Sequence, residues 1–389
     1  MKIILLGTAH PYRGGLASYN ERLALQFISE GHDVKIITFK LQYPKFFFPG
    51  KTQLTDNPPP EGIKIIRLLN SVNLLSWIKT GRRIREENPD ILLIKYWHPF
   101  MAPCFGKVAR IAGKKKTGKT SIICIFDNVI PHERKPFDRV LTKYFIRSLD
   151  GAIVMSQSVG DDLKSFTKDI PVLYNPHPVY DNYGDIVPRE DAIKKLDLPG
   201  GHSFLLFFGF IRSYKGLDIL LRAFGDKDVR KLNLKLIVAG EFYESDLPYR
   251  NLIMHLGIKD DVILFDRFIR EDEVALFFSA ADLVVQPYRS ATQSGVTQIA
   301  YHFGNPMLVT DVGGLSEIVA HGKCGYVVKP EPEEVAKAII DYFSNNRKSL
   351  FMEGVKQEKT KFTWNKLTNS IFQIYNILNS EHKTHEPKL

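Results

Sequence analysis

Cysteine is scarce in this chain of 389 residues, which contains only three. Cys104, Cys124 and Cys324 lie far apart and form no Cys-x-x-Cys pair, so the sequence indicates neither a disulfide framework nor a zinc site. Long apolar runs are missing too, which argues against a transmembrane helix. The first apolar run ends at Leu6 and is too short for a secretory signal. We therefore expect a cytoplasmic protein, or one held at the inner face of the cytoplasmic membrane.

The chain carries a formal net charge of +10 at pH 7, and the excess of base is confined to its first half. Residues 1–185 contain 27 Lys and Arg against 17 Asp and Glu, whereas the remaining residues contain 26 of each. This asymmetry indicates an anionic partner for the first half, such as membrane phospholipid, a phosphorylated acceptor or nucleic acid. Nucleic acid is the least favoured of these, because the chain lacks a recognisable module and any interleaving of basic and aromatic residues.

Short apolar segments alternate with helix-length segments along the whole chain. Their continuous apolar character predicts strands buried on both faces, hence parallel sheets covered by helices, seven strands in the first half and six in the second. A Pro-rich stretch at residues 175–179 interrupts the pattern. We predict an α/β protein with two doubly wound, Rossmann-like domains at residues 1–178 and 179–364, and a final helix at residues 365–380 that packs back on the first domain.

The segment Gly113–Thr120 matches the phosphate-loop consensus G-x-x-x-x-G-K-[ST]. That motif binds phosphate only between a preceding strand and a following helix. Here a helix precedes it and the strand Ser121–Phe126 follows, so we do not expect nucleotide binding at this loop. It is better explained as a solvated basic loop, or as one that faces a membrane together with basic residues of an earlier helix (Lys79, Arg82, Arg83 and Arg85).

The segment from Tyr288 to Val319 contains a polar loop, a helix and two glycine turns around a short strand. A loop that leads into a helix N-terminus presents free backbone N–H groups and a positive dipole, which is the geometry that holds a diphosphate. Arg212 and Lys215 follow the first strand of the second domain and are placed to neutralise such a ligand, with a solvated loop as the alternative.

Other candidates follow strands of the first domain. Gly14 and Gly15 open the first helix and would let a ligand approach the backbone, although a plain turn is the alternative. Asp127, Asn128, His132 and Glu133 come after the strand Ser121–Phe126, where acid, amide and imidazole groups can orient hydroxyls or move protons. His98 follows another strand and is a weaker candidate.

These features, in this order, resemble the retaining glycosyltransferases of the GT-B fold, specifically the large family four. The resemblance covers nearly the whole chain and is carried by residues 10–38, 207–224 (FFGFIRSYKGLDILLRAF), 280–288 and 304–319. It implies two Rossmann-like domains that face each other across a cleft. It also implies transfer of a sugar from a nucleotide-diphosphate donor, of UDP or GDP type, to an acceptor hydroxyl with retention at the anomeric carbon, in bacterial cell-surface polysaccharide or glycolipid assembly.

The resemblance also assigns roles to residues. Arg212 and Lys215 would bind the donor diphosphate and take part in catalysis, with Gly209 and the backbone of Ser294, Gly295 and Val296 on the same ligand. Gly14 and Gly15 would close on it from the other domain. Asp127 and His132 would be further catalytic candidates, and His98, Asn128 and Glu133 would lie on the acceptor side.

The chain departs from the family pattern in the donor loop. The family carries two glutamates there, and an ungapped alignment places their positions on Ala291 and Ile299. Gln293 and Gln298 are the nearest polar residues, and Gln298 would then contact the donor ribose. A neutral amide can bind hydroxyls but supplies no negative charge.

No Asp-x-Asp pair lies on a loop suited to Mg²⁺, so we expect neither a metal nor a cofactor. The expected partners are a nucleotide sugar and a saccharide or lipid-linked saccharide acceptor. A nucleotide-sugar epimerase or a phosphorylase on the same architecture is the alternative. It would require an internal acid–base pair or a cofactor-bearing lysine, and neither is evident.

Overall fold

The computed structural model of this protein describes residues 1–44, 52–113, 120–131 and 135–384, with side chains up to residue 380. These residues form two compact units. One unit comprises Met1–Pro176 and the segment from Trp364 onward, and the other comprises His177–Thr363. Each unit is built on a parallel sheet with helices around it, so the predicted α/β class with two Rossmann-like domains is confirmed.

In its described residues the first unit contains a sheet of seven parallel strands in the order 3-2-1-4-5-6-7. The strands are β1 (Lys2–Leu6), β2 (Asp33–Leu41), β3 (Lys64–Asn70), β4 (Ile91–Tyr96), β5 (Ser121–Phe126), β6 (Gly151–Val154) and β7 (Val172–Tyr174). The helices that connect them are α1 (Gly15–Ser29), α2 (Leu74–Glu87), α3 (Ala102–Ala112), α4 (Asp138–Ile146) and α5 (Gln157–Lys164).

The helices of the first unit divide between the two faces of the sheet. The winding reverses between β1 and β4, which are adjacent in the sheet. Because parallel crossovers are right-handed, α1 covers one face, and α2, α3 and α4 form a layer on the other. Within this layer α3 packs against both α2 and α4. The central strands β4 and β5 are buried along their whole length, which explains their continuous apolar sequence.

The second unit contains, among the residues described, a sheet of six parallel strands in the order 10-9-8-11-12-13. The strands are β8 (Ser203–Phe208), β9 (Leu234–Ala239), β10 (Val262–Phe265), β11 (Leu283–Gln286), β12 (Met307–Thr310) and β13 (Gly325–Val328). The helices are α6 (Arg189–Lys195), α7 (Leu217–Phe224), α8 (Leu247–His255), α9 (Glu271–Ala280), α10 (Gly295–Phe303), α11 (Leu315–Ile318), α12 (Pro332–Ser344) and α13 (Lys348–Lys359).

The winding of the second sheet reverses between β8 and β11, which pair directly. In open parallel sheets, ligands bind outside the carboxyl ends of the strands at such a reversal. The loops after β8 and β11 therefore lie side by side where a ligand is expected. The sequence prediction contained no counterpart of α6 or α11, because both are short and α6 buries only Ala192.

The last helix, α14 (Trp364–Thr384), belongs to the first unit, where it contacts α1 and β6. The Trp364 ring lies 5.1 Å from the Tyr19 ring, and Phe372 lies 5.7 Å from Phe27, both residues of α1. A Cβ on Gly151 of β6 would lie 2.4 Å from Ile374, so the helix packs directly on the strand.

The basic segment that matches the phosphate-loop consensus lies largely outside the described residues. Its first residue, Gly113, caps the end of α3, and β5 begins at Ser121, so a helix precedes it and a strand follows. Residues 114–119, as well as the candidates His132 and Glu133, are not among the residues that the structure describes. None of the helices in the described ranges has the length and apolarity needed to cross a membrane.

Candidate functional site

Two loops meet at the carboxyl edge of the second sheet, one after β8 and one after β11. Gly209 follows β8 with φ at 98°, in the left-handed region that favours glycine. A Cβ on Gly209 would lie 3.2 Å from Lys215 Nζ and 3.6 Å from Val296 Cγ2. The Lys215 ammonium therefore lies over Gly209 and beside the first turn of α10.

Glycines allow these loops to touch through their backbones. Residues 212–216 form the cationic turn, which ends at Gly216 with φ at 66°. A Cβ on Gly216 would lie 2.0 Å from the Pro287 carbonyl oxygen, and one on Gly240, after β9, would lie 2.0 Å from the Gly209 carbonyl oxygen. No side chain fits into either contact, so glycine at these positions determines where the cationic turn lies.

The cationic turn carries two basic side chains, Arg212 and Lys215. Within the described residues neither Arg212 nor Lys215 forms an ion pair. Arg212 Cζ lies 5.2 Å from the Tyr243 ring centre, and Lys215 Nζ lies 5.6 Å from that of Tyr288. Burial, together with the neighbouring Arg212 guanidinium, lowers the pKa of Lys215 to about 8. Two adjacent cations without a counter-ion are suited to bind a multiply charged anion.

Arg289 ties the loop after β11 to the cationic turn. Its guanidinium donates to both carboxylate oxygens of Asp218, at 2.7 and 2.6 Å, and to the Ser213 carbonyl at 3.0 Å. Its backbone N–H donates to the Tyr214 carbonyl at 2.7 Å. Burial opposes ionisation of Asp218, but its bonds to Arg289 outweigh this effect and lower its pKa. We call Arg289 and Asp218 the clamp, because they connect α7, the cationic turn and the loop that enters α10.

The start of α10 is capped by Ser294. The Ser294 hydroxyl accepts the Val296 N–H at 3.2 Å and donates to Gln286 Oε1 at 2.6 Å. In the part of the chain described, the N–H groups of Gly295 and Thr297 form no hydrogen bond, and the first turn of α10 contains no acidic residue. This helix terminus can therefore offer two N–H groups and a positive dipole to an anion.

Buried amides with unused hydrogen-bonding atoms are concentrated in this region. Gln298 is completely buried, yet neither its Oε1 nor its Nε2 has a partner among the described residues. Gln286 is also buried, and its Nε2 has no partner in the part of the chain that the structure describes. A buried amide without a partner costs about 1–3 kcal/mol, so these atoms are poised for a polar contact with a ligand. Ala291 and Ile299, the aligned glutamate positions, are buried apolar residues.

The glycine turn after β12 packs against the loop between β11 and α10. Gly313 has φ at 50°, and a Cβ there would lie 1.6 Å from the Ala291 carbonyl oxygen. The Thr310 hydroxyl also donates to the Tyr288 carbonyl at 2.5 Å. These contacts support the loop from behind. Glu317 is exposed on α11, the short helix that follows this turn.

An aromatic surface at the same edge of the sheet was missed by sequence reasoning. The Phe210 ring lies 4.4 Å from that of Tyr243 and 6.1 Å from that of Phe268, and all three are half-buried. They follow β8, β9 and β10, three strands that are neighbours in the sheet. Glu241, a buried carboxylate after β9, was also missed. All four lie within four residues of the end of a strand, and that position was the available signal.

In the first unit, Asp127 is bound to a buried lysine. Its Oδ1 accepts a hydrogen bond from Lys95 Nζ at 2.7 Å, and that Nζ lies 3.5 Å from the Tyr19 ring centre. Burial lowers the pKa of Lys95, whereas the charge of Asp127 opposes this shift. The carboxylate predicted as catalytic therefore neutralises a buried ammonium group.

The other first-unit candidates also lie at the carboxyl edge. His98 follows β4, and its Nδ1 accepts the Phe100 N–H at 3.1 Å, which places the ring proton on Nε2 in the neutral form. Asn128 follows β5 beside β4 and is half-buried. Gly14 caps α1 with φ at 94°, and Gly15 is the first residue of that helix. Among the side chains described in either unit, no group of three His, Cys, Asp or Glu could hold a metal ion.

Two family models match consecutive parts of the chain. The model described as Glycosyltransferase Family 4 matches residues 13–179, and the model described as Glycosyl transferases group 1 matches residues 188–356. An uncharacterized glycosyltransferase of Methanocaldococcus jannaschii is 26% identical over 387 residues, which cover 97% of this chain and 99% of the relative.

Solved structures with similar folds include two that cover almost the whole chain. Sucrose-phosphate synthase from Thermosynechococcus elongatus superposes with a TM-score of 0.76 at 17% identity, over 98% of this chain and 100% of that protein. HepE from Anabaena, in complex with UDP-glucose, superposes with a TM-score of 0.70 at 16% identity, over 97% of this chain and 99% of its own. These likenesses confirm the fold.

Proposed function

We propose that this chain, which belongs to the glycosyltransferases of group 1 and family 4, moves a sugar from a nucleotide-diphosphate sugar to an acceptor hydroxyl with retention of anomeric configuration. The observation that carries the proposal is a pair of neighbouring cations, Arg212 and Lys215, that form no ion pair among the described residues, with Lys215 beside the N-terminus of α10. A diphosphate would supply the missing negative charge and accept hydrogen bonds from the helix N–H groups.

The chemistry requires stabilisation of the departing diphosphate. As the bond between the anomeric carbon and the phosphate oxygen breaks, negative charge develops on that oxygen. Lys215 and Arg212 would stabilise it from fixed positions, without reorganisation during the reaction. Gln293 and Gln298 cannot act as nucleophiles. We therefore favour attack by the acceptor hydroxyl on the face that the diphosphate leaves, with the hydroxyl proton passing to the leaving phosphate oxygen.

The aromatic surface of Phe210, Tyr243 and Phe268 is the proposed contact for the nucleobase, because it lies at the carboxyl edge beside the cationic turn. Stacking on such rings accepts any base, so UDP and GDP sugars are both candidates. A UDP donor is favoured by the fold likeness to the Anabaena protein, which is described in complex with UDP-glucose. Gln298 is the proposed partner of the donor hydroxyls.

The first unit is the proposed acceptor side, with His98 and Asn128 as its polar contacts. We propose a saccharide or lipid-linked saccharide acceptor in cell-surface polysaccharide or glycolipid assembly, used at the inner face of the cytoplasmic membrane. Residues 1–185 contain 27 basic and 17 acidic residues, and this excess of positive charge favours binding to an anionic membrane. His132, Glu133, Gly14 and Gly15 stay predictions.

Thermal unfolding in the presence of a panel of UDP, GDP and ADP sugars tests the donor class. A nucleotide sugar present at 100 times its Kd should stabilise the protein by about 2.7 kcal/mol. The corresponding free sugar should not stabilise it. NMR of the product formed with the protective donor then reports the anomeric configuration. A panel without any protective nucleotide sugar would contradict the proposal, and an inverted product would contradict the retaining mechanism alone.

Loosening the clamp should weaken donor binding without removing a donor contact. In Asp218→Asn the bidentate bond of Arg289 is lost, so the cationic turn is held less firmly and nucleotide affinity should fall about threefold to fivefold. Isothermal titration with the protective nucleotide measures this. The matched control is Asp261→Asn. Asp261 directly precedes β10 and forms a 2.7 Å ion pair with Lys235 of β9, which this substitution removes. Equal losses in the two variants would show that the clamp has no positioning role.

A further inference from the structure

The most exposed apolar side chains of the first unit are concentrated in two short segments. Among its described residues, five large apolar side chains are more than half exposed. Val72, Leu74 and Leu75 lie at the start of α2, where Leu75 is 76% exposed. Phe137 and Val140 lie at the start of α4, where Phe137 is 75% exposed. Single exposed apolar residues are ordinary, but this concentration is not.

The topology brings the two segments to one side of the unit. α2 follows β3 and α4 follows β5, so both helices begin at the carboxyl edge of the same parallel sheet. Both also lie in the helix layer in which α3 packs between them. The exposed apolar residues therefore share an edge and a face, and this edge also carries His98 and Asn128.

Neither segment uses these side chains for its own fold. The buried residues of α2 are Thr80, Gly81 and Ile84, all beyond its first turn. Phe137 precedes α4 with φ at 74°, a left-handed conformation that costs a side chain of this size energy. A polar residue or glycine would serve better at both places if water were the only neighbour.

Basic residues accompany the apolar ones. Residues 135–147 contain Lys135, Arg139, Lys143 and Arg147 against Asp138 alone. On α2, Lys79 lies one turn after Leu75. Within the described residues Lys79, Lys135 and Arg139 form no ion pair. Exposed apolar side chains beside uncompensated cations are the composition of a surface that binds the interface of an anionic bilayer.

We propose that the N-terminal ends of α2 and α4 form a lipid-facing surface, made by Leu74, Leu75, Phe137 and Val140 and flanked by Lys79, Lys135 and Arg139, which seats the first unit on an anionic membrane. The surface places the acceptor edge of the sheet at the bilayer. It thereby specifies an acceptor whose reactive hydroxyl is anchored in lipid, a conclusion that rests on the proposed function. The proposal that this surface binds a membrane does not rest on the proposed function.

Co-sedimentation of the full chain with phosphatidylcholine vesicles tests the surface. One set of vesicles is neutral, and the other contains about 30 mol% phosphatidylglycerol, which makes the bilayer strongly anionic. Leu75→Ser/Phe137→Ser should lower the partition coefficient by more than about tenfold, because two large side chains leave the interface. The matched control, Leu247→Ser/Met254→Ser, changes two residues of α8 that are each 62% exposed. It should bind as the wild type does.

Charge is tested separately. Lys135→Glu/Arg139→Glu should abolish the preference for anionic vesicles, whereas Lys329→Glu/Lys356→Glu on the second unit should preserve it. The inference is overturned if the wild type ignores anionic lipid, if the control pairs lose as much binding as the surface pairs, or if the apolar surface instead holds two copies of the chain together, as light scattering would reveal.

Nucleotide protection in the same variants separates the two proposals. Surface variants that lose vesicle binding but keep full stabilisation by the nucleotide sugar are folded and support the inference. Vesicle binding without any nucleotide protection would contradict the proposed function and leave the membrane surface standing.

Discussion

The variant Arg212→Ala/Lys215→Ala should lose about 10³-fold in kcat/KM and all thermal protection by the nucleotide sugar. Removing one fixed donor to a developing oxyanion costs about 10²- to 10³-fold, and this variant removes both cations that would face the leaving group in the proposed mechanism. The loss should appear in kcat as well as KM, since the charge on the diphosphate grows in the transition state. Initial rates over a range of donor concentrations, together with thermal unfolding, measure both effects.

Two controls make this result specific. Lys329→Ala/Lys356→Ala removes the same number of charges from exposed positions of the second unit and should leave both measurements unchanged. Lys215→Met alone should stabilise the unliganded protein at neutral pH, because a half-buried ammonium whose pKa is lowered is replaced by an apolar side chain. Normal donor protection in the double variant would show that the diphosphate binds elsewhere.

Donor affinity should decrease by about 100-fold between pH 7 and pH 10 in the wild type, measured relative to Lys215→Arg. Burial and Arg212 lower the pKa of Lys215 to about 8, so the ammonium deprotonates within this range in the free protein. If the diphosphate binds only the charged form, affinity falls about tenfold for each pH unit above the pKa. Arginine stays charged throughout, and ionisation of the nucleobase affects both proteins equally.

Raising the pH should change the stability of the unliganded protein and its donor affinity in opposite directions. Between about pH 8 and the ordinary lysine pKa of 10.5, the unfolded chain binds more protons at this residue than the folded chain does. The contribution of Lys215 to the stability of the unliganded protein therefore rises with pH across that window, while donor affinity falls. Parallel pH profiles for wild type and Lys215→Arg would show that Lys215 is not the titrating group.

The strands illustrate what local sequence predicts well. Strands such as β4 and β5 are continuous apolar runs because both faces are covered, and no distant contact is needed to recognise them. Residue type and position after a strand also singled out Arg212 and Lys215, whose role stays a prediction. By contrast, α6 was not predicted, since its seven residues bury one side chain and carry little periodic signal.

The sequence did not predict which side chains form ion pairs with each other. Asp127 was expected to act on a hydroxyl, and its role stays a prediction, but the structure binds its carboxylate to Lys95, which is 32 residues away in sequence on β4. The Arg289–Asp218 clamp spans 71 residues. Both pairs depend on which strands are neighbours, and strand order reverses within each sheet. No spacing rule along the chain reports that reversal.

The sequence by itself determined the class of the fold and the family, and it predicted the residues of the proposed donor site, because each depends on local patterns of apolar, glycine and basic residues. Only the tertiary structure decided which of those residues act together. It set Lys215 over Gly209 beside α10, with no acidic partner among the described residues, and gathered Leu75 and Phe137 on one edge of the first unit. Burial and charge neutralisation are properties of neighbours in space, and the folded sheets bring together residues that the chain keeps far apart.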